Sequence, residues 1–298
     1  MKWILSSFVI LALCAWPVAL HPPVRPAITG IASVRIAASD LESSRGFYSK
    51  NLGFGSNSGA CHLIVVPCVN VGSQTIQFDR PNNDGSSNLV TQIAFTTTSA
   101  DGLQIYLAAN GVKTGKITPA DDETDGFEAT DPENHRIAFV QRRDHDSDSW
   151  SGSQVSSHLI HVGFVVHNRP AVDHFYKDIL GFRPYWHGGM KDDQTDWLDL
   201  QVPDGTDRIE FMLNVPANAD KHTLGVMNHI ALGVPDIHAA AKQLLTNGMK
   251  LAEEPKIGRD GKWQLNLYDP DDTRVELMEF TPVEKSCCSA YTGPHPKP

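Results

Sequence analysis

Hydrophobic and polar residues alternate in short stretches of this chain, and helical patterns separate these stretches. Residues 28–39 alternate as a strand, a helical pattern runs from 40 to 53, and further strand patterns follow to Phe78. The same order begins again at Leu159 and ends at Leu213. The pattern therefore predicts a repeated structural unit.

Shared motifs extend the repeat to the whole chain. Phe47–Phe54 and Phe175–Phe182 both read Phe-Tyr, three residues and then Leu-Gly-Phe at the end of a predicted helix. The predicted helices between and after them end in Asn110-Gly111 and Asn247-Gly248, where Gly suits a left-handed helix stop. We therefore predict an α+β fold of four βαβββ units, starting near residues 28, 89, 157 and 226. The polar run 144–157 divides them into two pairs, residues 28–143 and 157–281.

Two histidines and two glutamates occupy matching places in the third and fourth units. Glu210 follows His161 by 49 residues, and Glu276 follows His229 by 47 residues. In each pair the histidine lies in the first strand pattern and the glutamate in the last. A lone His or Glu in a strand usually has a structural role, but four at equivalent positions favour one divalent metal site. Imidazole and carboxylate together suit Zn, Ni, Fe, Mn or Co.

Composition indicates how large a core the chain can bury and which classes of partner it can bind. The chain has 298 residues, of which 41% are hydrophobic, so it can bury a large core. Its formal net charge of -10 excludes a nucleic-acid backbone as a partner. A small-molecule substrate remains as the expected partner, and the sequence is compatible with a homodimer.

The two ends of the chain differ from the predicted fold. Lys2 precedes an apolar run from Ile4 to Trp16, so residues 1–20 are predicted to be a secretory signal peptide and the mature protein to be periplasmic or secreted. The run is too short to span a bilayer. Residues 282–298 are predicted to form a flexible tail that contains Cys287 and Cys288. Inert or loosely paired thiols are the expectation for the mature cysteines.

Paired βαβββ units with a His in the first strand and a Glu in the last resemble the vicinal oxygen chelate superfamily, which includes glyoxalase I, extradiol dioxygenases and bleomycin-resistance proteins. The resemblance covers residues 28–281. It implies that two units form a half-open barrel that holds one divalent metal ion. Carried over residue by residue, it implies four metal ligands in the C-terminal pair: His161, Glu210, His229 and Glu276.

The same resemblance implies that the N-terminal pair has no metal site. The corresponding positions there are Ser33, Gln77, Gln92 and Ala138. Alanine offers no donor atom, and neutral amides and hydroxyls bind first-row metals weakly. Residues 28–143 are therefore expected to act as a scaffold or lid.

The resemblance leaves three functions open. A glyoxalase-I-like lyase or isomerase would use Glu210 or Glu276 as a general base on a substrate that chelates the metal through adjacent oxygens. An extradiol dioxygenase would hold iron with His161, His229 and Glu276, but this chain has Glu210 near the place of the family's acid/base histidine. It also has Asn266 where those enzymes carry a tyrosine. We therefore favour the lyase or isomerase.

A binding protein of the bleomycin-resistance type is the third interpretation. Tyr185, Trp186 and Trp197 would supply aromatic walls for a ligand, although such binders need no metal ligands. Arg208 and Arg274 each lie two residues before a glutamate and share its strand face, where they could hold a substrate anion. Arg136 stands at the same place in the half without ligands, which favours a structural role.

Overall fold

The computed structural model describes residues 22–55, 61, 66–81, 89–121, 124–142 and 152–298. Its N-terminal half contains strands β1 (Ile28–Ala37), β2 (Cys68–Val71), β3 (Gln74–Asp79), β4 (Val90–Thr97), β5 (Thr118–Asp121), β6 (Thr124–Thr130) and β7 (Arg136–Arg142). Helix α1 (Leu41–Gly46), which continues as a π-helical turn over Phe47–Asn51, follows β1, and helix α2 (Ala100–Ala109) follows β4. The predicted signal peptide, residues 1–20, lies outside the described residues.

The C-terminal half repeats this order. Its strands are β8 (His158–Val165), β9 (Arg183–Gly188), β10 (Trp197–Gln201), β11 (Arg208–Met212), β12 (His229–Val234), β13 (Lys256–Ile257), β14 (Trp263–Tyr268) and β15 (Arg274–Glu279). Its helices are α3 (Arg169–Asp173) with a π-helical turn over His174–Ile179, α4 (Lys221–Met227) and α5 (Ile237–Thr246). Among the described residues no helix is long and apolar enough to cross a membrane.

Each half forms one curled sheet of mixed strand directions. The order is β2-β3-β1-β4-β7-β6-β5 in the first half and β13-β14-β15-β12-β8-β11-β10-β9 in the second. The first strands of the paired units, β1 with β4 and β8 with β12, are antiparallel neighbours at the centre of each sheet. This arrangement confirms the predicted α+β fold of paired βαβββ units.

Local sequence chemistry explains where the helices begin and end. Asp40 caps α1 by accepting hydrogen bonds from the backbone N–H groups of Glu42 and Ser43. Asp236 caps α5 in the same way by accepting from Ala239. The two Leu-Gly-Phe motifs place Gly53 and Gly181 at φ of 76° and 80°, a conformation that favours glycine.

Buried apolar side chains of both halves belong to one continuous core. Polar contacts also join the halves: the Gln74 amide donates to the carbonyl oxygens of Ile31 and Leu159 at 3.0 and 2.9 Å. Tyr48 donates to Asp269 at 3.2 Å. The N-terminal half therefore supports the C-terminal sheet directly.

Residues 282–298, for which the sequence predicts a flexible tail, contact β9, the edge strand of the C-terminal sheet. Thr292 N–H donates to the carbonyl of Tyr185 at 3.0 Å, and the indole N–H of Trp186 donates to the carbonyl of Cys287 at 3.2 Å. The ring of Tyr185 on β9 also packs against Tyr291 of the tail, with 4.9 Å between the ring centres, and the flexibility of the tail stays a prediction. Disulfides join Cys61 to Cys68 and Cys287 to Cys288, whereas the sequence analysis favoured loosely paired thiols.

Candidate metal centre

Four strands at the centre of the C-terminal sheet bring the predicted ligands together. His161 lies on β8, and its neighbours on either side are β11, which carries Glu210, and β12, which begins with His229. Glu276 lies on β15, where it pairs in register with Ala231, and Ala231 in turn pairs with His161. Glu210 and His229 both pair with Gly163. Side chains two residues apart share a sheet face, so this register directs all four to one side.

The donor atoms of three of the four side chains, His161, Glu210 and His229, lie within 4.8 Å of one another. His161 Nε2 is 3.0 Å from His229 Nε2 and 3.6 Å from Glu210 Oε2, and His229 Nε2 is 3.0 Å from Glu210 Oε2. Glu276 Oε2 is 3.5 Å from His161 Nε2 and 3.9 Å from His229 Nε2. Ligands at about 2.0–2.2 Å from one metal ion are separated by about 3.0–3.5 Å, so His161, Glu210 and His229 fit such an ion, and Glu276 lies next to this group.

Backbone features fix the orientation of His229. Its Nδ1 lies 3.0 Å from the carbonyl oxygen of Met227, so Nδ1–H donates to this oxygen and Nε2 keeps its lone pair for a metal. Gly163 makes room for the ring, because a Cβ at this position would overlap the imidazole. The sequence analysis missed Gly163, although its place two residues after His161 was visible.

Burial sets the protonation states at the centre. Desolvation, aided by the charges of Arg208 and neighbouring groups, lowers the pKa of His161 well below its usual value. Desolvation and the charge of Arg274 lower the pKa of His229 to about 3. Desolvation raises the pKa of both Glu210 and Glu276. Neutral imidazoles are the form that binds metals, and a divalent cation would offset the cost of two buried carboxylates.

The N-terminal half shows different side chains at the matching register positions. Gln77 accepts from Arg35 Nε at 2.9 Å, and Gln92 donates to Glu128 at 2.7 Å. Ala138 packs in an apolar cluster with Ala94. Gln77 and Gln92 therefore form hydrogen bonds with neighbouring side chains of the N-terminal sheet.

Two arginines line the C-terminal centre. Arg208 is buried, donates from Nε to Asp199 at 2.7 Å and lies with its guanidinium 5.4 Å from the centre of the Tyr185 ring. Arg274 is half-buried, and its charge is the second cause, next to desolvation, that lowers the pKa of His229. His158, at the start of β8, pairs with Asp207 at 2.7 Å.

A second group of donor atoms lies at the surface, formed by Asp192, Cys287 and Cys288. It borders a cavity of about 690 Å³ to which Arg259 and Lys285 also contribute. The two sulfurs are joined in a disulfide and have no thiolate to offer a metal. The centre on β8, β11, β12 and β15 is therefore the stronger metal site among the described residues.

Comparison with known proteins agrees with this geometry. Residues 160–266 match the model of the glyoxalase/bleomycin resistance protein/dioxygenase superfamily. A lactoylglutathione lyase from Haemophilus influenzae is 28% identical over 107 residues, which are 35% of this chain and 79% of the lyase. The C-terminal half of the chain is therefore similar to the vicinal oxygen chelate superfamily.

Solved structures of dioxygenases have the same fold over most of the chain. The homoprotocatechuate 2,3-dioxygenase of Arthrobacter globiformis superposes with a TM-score of 0.64 at 17% identity, covering 86% of this chain and 80% of that chain. A mutant of the Brevibacterium fuscum enzyme gives 0.62 at 18% identity, covering 91% and 74%. Identity this low establishes the fold alone. The vicinal oxygen chelate relatives thus include enzymes of two reaction classes.

Proposed function

We propose that this vicinal oxygen chelate protein is a metal-dependent lyase or isomerase of the glyoxalase I type. Its substrate would be a small molecule that chelates one divalent ion through adjacent oxygens. His161, Glu210, His229 and Glu276 would hold the ion, whose chemical contribution is that of a Lewis acid. The observation that carries the proposal is the second carboxylate, Glu210, at 3.0 Å from His229 Nε2.

Glu210 is the side chain that we assign to proton transfer. It is the more exposed of the two glutamates, with 12% of its side chain accessible compared with 6% for Glu276. Glu210 would accept the proton from the carbon next to the substrate carbonyl and return it to the adjacent carbon. The net change is an isomerisation, in which no oxidant is consumed. Glu276 and the two histidines would keep the substrate oxygens in place.

Ring cleavage by a dioxygenase is the second candidate, and the four-unit fold shared with homoprotocatechuate 2,3-dioxygenases favours it. Two side chains differ from those that extradiol dioxygenases use for ring cleavage. Glu210 occupies the region where the extradiol enzymes carry an acid/base histidine. Asn266, in place of their tyrosine, donates from its backbone and side-chain nitrogens to Glu253 at 2.9 and 2.7 Å and therefore has a local structural role.

Assays of the purified protein can separate the two reactions. With Zn or Ni we expect turnover of methylglyoxal hemithioacetals, and Glu210→Gln should lower kcat by about 100-fold or more because it removes the proton acceptor. Gln77→Asn, at the matching position of the N-terminal half, is the control and should leave turnover unchanged. Oxygen uptake with a catechol and Fe would overturn the proposal in favour of ring cleavage.

We also propose that the protein acts outside the cytoplasm. Support comes from the N-terminal sequence: the charge of Lys2, the apolar run from Ile4 to Trp16 and the small residue Ala19 near the predicted cleavage site. Fractionation of the native host, followed by N-terminal sequencing of the recovered protein, tests this. A cytoplasmic protein that retains residues 1–20 would contradict it.

A further inference from the structure

A buried lysine next to the metal centre has no hydrogen-bond partner. Lys262, which immediately precedes β14, is fully buried, and its Nζ has no partner among the described residues. A buried ammonium without a partner is costly and is normally paired with an anion. Desolvation, together with the charge of Arg208, lowers the pKa of Lys262 to about 7. No hydrogen-bond acceptor among the described residues contacts Lys262 Nζ, although Asp260, Asp199 and Glu276 interact with its charge.

Two aromatic rings surround the ammonium. Lys262 Nζ lies 5.7 Å from the centre of the Tyr185 ring and 5.3 Å from the centre of the Tyr291 ring. Ring faces attract cations, which helps to explain how Lys262 is tolerated without a hydrogen bond. Tyr291 belongs to residues 282–298, so the C-terminal tail supplies one of the two rings.

Arg208 supplies a second unpaired donor next to the Tyr185 ring. It lies against Tyr185, as Lys262 does, and its Nη1 is buried without a partner among the described residues, while Nε is paired with Asp199. Arg136 of the N-terminal half is the counterpart of Arg274, not of Arg208. The counterpart of Arg208 is Thr75, because Thr75 pairs with Ser33 as Arg208 pairs with His161. Arg208 is therefore specific to the half with the metal ligands.

Charged side chains of both signs surround this site. Among the described residues the cations are Arg208, Lys262 and Arg274, and the carboxylates are Asp199, Glu210, Asp260 and Glu276. Lys262 Nζ and Arg208 Nη1 nevertheless have no hydrogen-bond partner among the described residues. An anion that accepts from both nitrogens would supply the missing contacts of two buried cations.

We propose that Lys262 and Arg208 form an anion subsite that binds a carboxylate of the substrate. This inference rests on the proposed metal-dependent function and narrows its substrate class to carboxylic acids that also carry two adjacent metal-chelating oxygens. Lys262 Nζ and Arg208 Nη1 each donate to the carboxylate. Tyr185 packs beside both cations and keeps water away from the ion pair.

Two chelating probes that differ in charge test the subsite on the zinc-loaded full-length protein. The probes are 3,4-dihydroxybenzoate, which carries a carboxylate, and 4-methylcatechol, which does not; titration calorimetry measures both dissociation constants. Lys262→Met should weaken binding of 3,4-dihydroxybenzoate by about 10- to 100-fold and leave binding of 4-methylcatechol within about twofold. Lys262→Arg keeps the charge and should retain most of the preference.

Lys250→Met is the matched control, because Lys250 is an exposed lysine outside the strands that carry the four candidate ligands, and it should change neither dissociation constant. Zinc content and circular dichroism of each variant check that it is folded. Equal weakening of both probes in Lys262→Met, or none, would overturn the subsite while leaving the metal function intact. If the zinc-loaded wild type binds neither probe, chelation itself fails, and both the proposed function and the subsite fall.

Discussion

The two halves of the molecule share a backbone register but differ at every metal position. Glu210 and His229 pair with the residue two places after His161, and Gln77 and Gln92 pair with the residue two places after Ser33. On the last strands, Glu276 pairs with the residue two places after His229, and Ala138 pairs with the residue two places after Gln92. The difference between a metal centre and a scaffold is therefore carried by side chains on one common sheet.

The polar groups of the two halves also differ in how they are satisfied. In the N-terminal half, Arg35 bonds Gln77, and Glu128 accepts from both Gln92 and Arg136. In the C-terminal half, Lys262 Nζ is buried without a partner among the described residues. A buried polar group without a partner costs free energy, and the proposed carboxylate would supply this missing interaction.

The largest expected effect comes from removing a candidate metal ligand from the C-terminal half. His229→Ala should lower bound zinc from about one ion per chain to almost none, because it removes an imidazole ligand. Gln92→Ala, at the matching position of the N-terminal half, should leave zinc content unchanged. Elemental analysis of the purified variants measures both. Full zinc occupancy in His229→Ala would exclude His229 as a ligand.

A smaller effect should follow from Gly163→Ala. The new methyl group would overlap the His229 ring, so we expect a loss of about 1–3 kcal/mol in the free energy of unfolding and a weaker affinity for zinc. Arg35→Ala at the matching position is the control and should cost about 1 kcal/mol or less, without an effect on zinc. Denaturant unfolding and zinc titration check these values. An unchanged zinc affinity in Gly163→Ala would show that the ring position is not critical.

The four candidate ligands were accessible from the sequence because strand spacing and internal repeats are local properties of the chain. His161 and Glu210 could be aligned with His229 and Glu276 by counting from shared motifs, and the register of the strands then brought them together. The helix ends could be predicted for the same reason. The capping residue Asp40 and the glycines of the two Leu-Gly-Phe motifs, Gly53 and Gly181, lie within a few residues of the helices that they begin or end.

Other features of the site depend on contacts between distant segments and could not be predicted. Lys262 appears in the sequence as one lysine among many, and only the packing of Tyr185 and Tyr291 around it shows that it is buried. The tail, with its Gly and Pro residues, has the composition of a flexible segment. Its contacts are with aromatic residues of β9, which no local pattern links to residues 282–298.

The smallest expected effect concerns the contact between the halves at His158. Burial lowers the pKa of His158, but the hydrogen bond at 2.7 Å and the charge of Asp207 outweigh it, so the pKa is raised. Asp207 also accepts from the backbone N–H of Ile31, which ties β1 to the C-terminal half. A raised folded pKa means that the charged pair stabilises the protein below the unfolded value of about 6.5 and that this stabilisation is lost as pH rises through the folded value.

His158→Gln should therefore remove a pH-dependent contribution of about 1 kcal/mol or less, visible as a smaller fall in the free energy of unfolding between about pH 6 and 8. His174→Gln is the control, because His174 pairs with Asp178 at an exposed position where two-thirds of both side chains are accessible. Urea unfolding at several pH values measures the difference. A pH dependence identical to that of the wild type would mean that the His158 and Asp207 pair does not link the two halves through its charge.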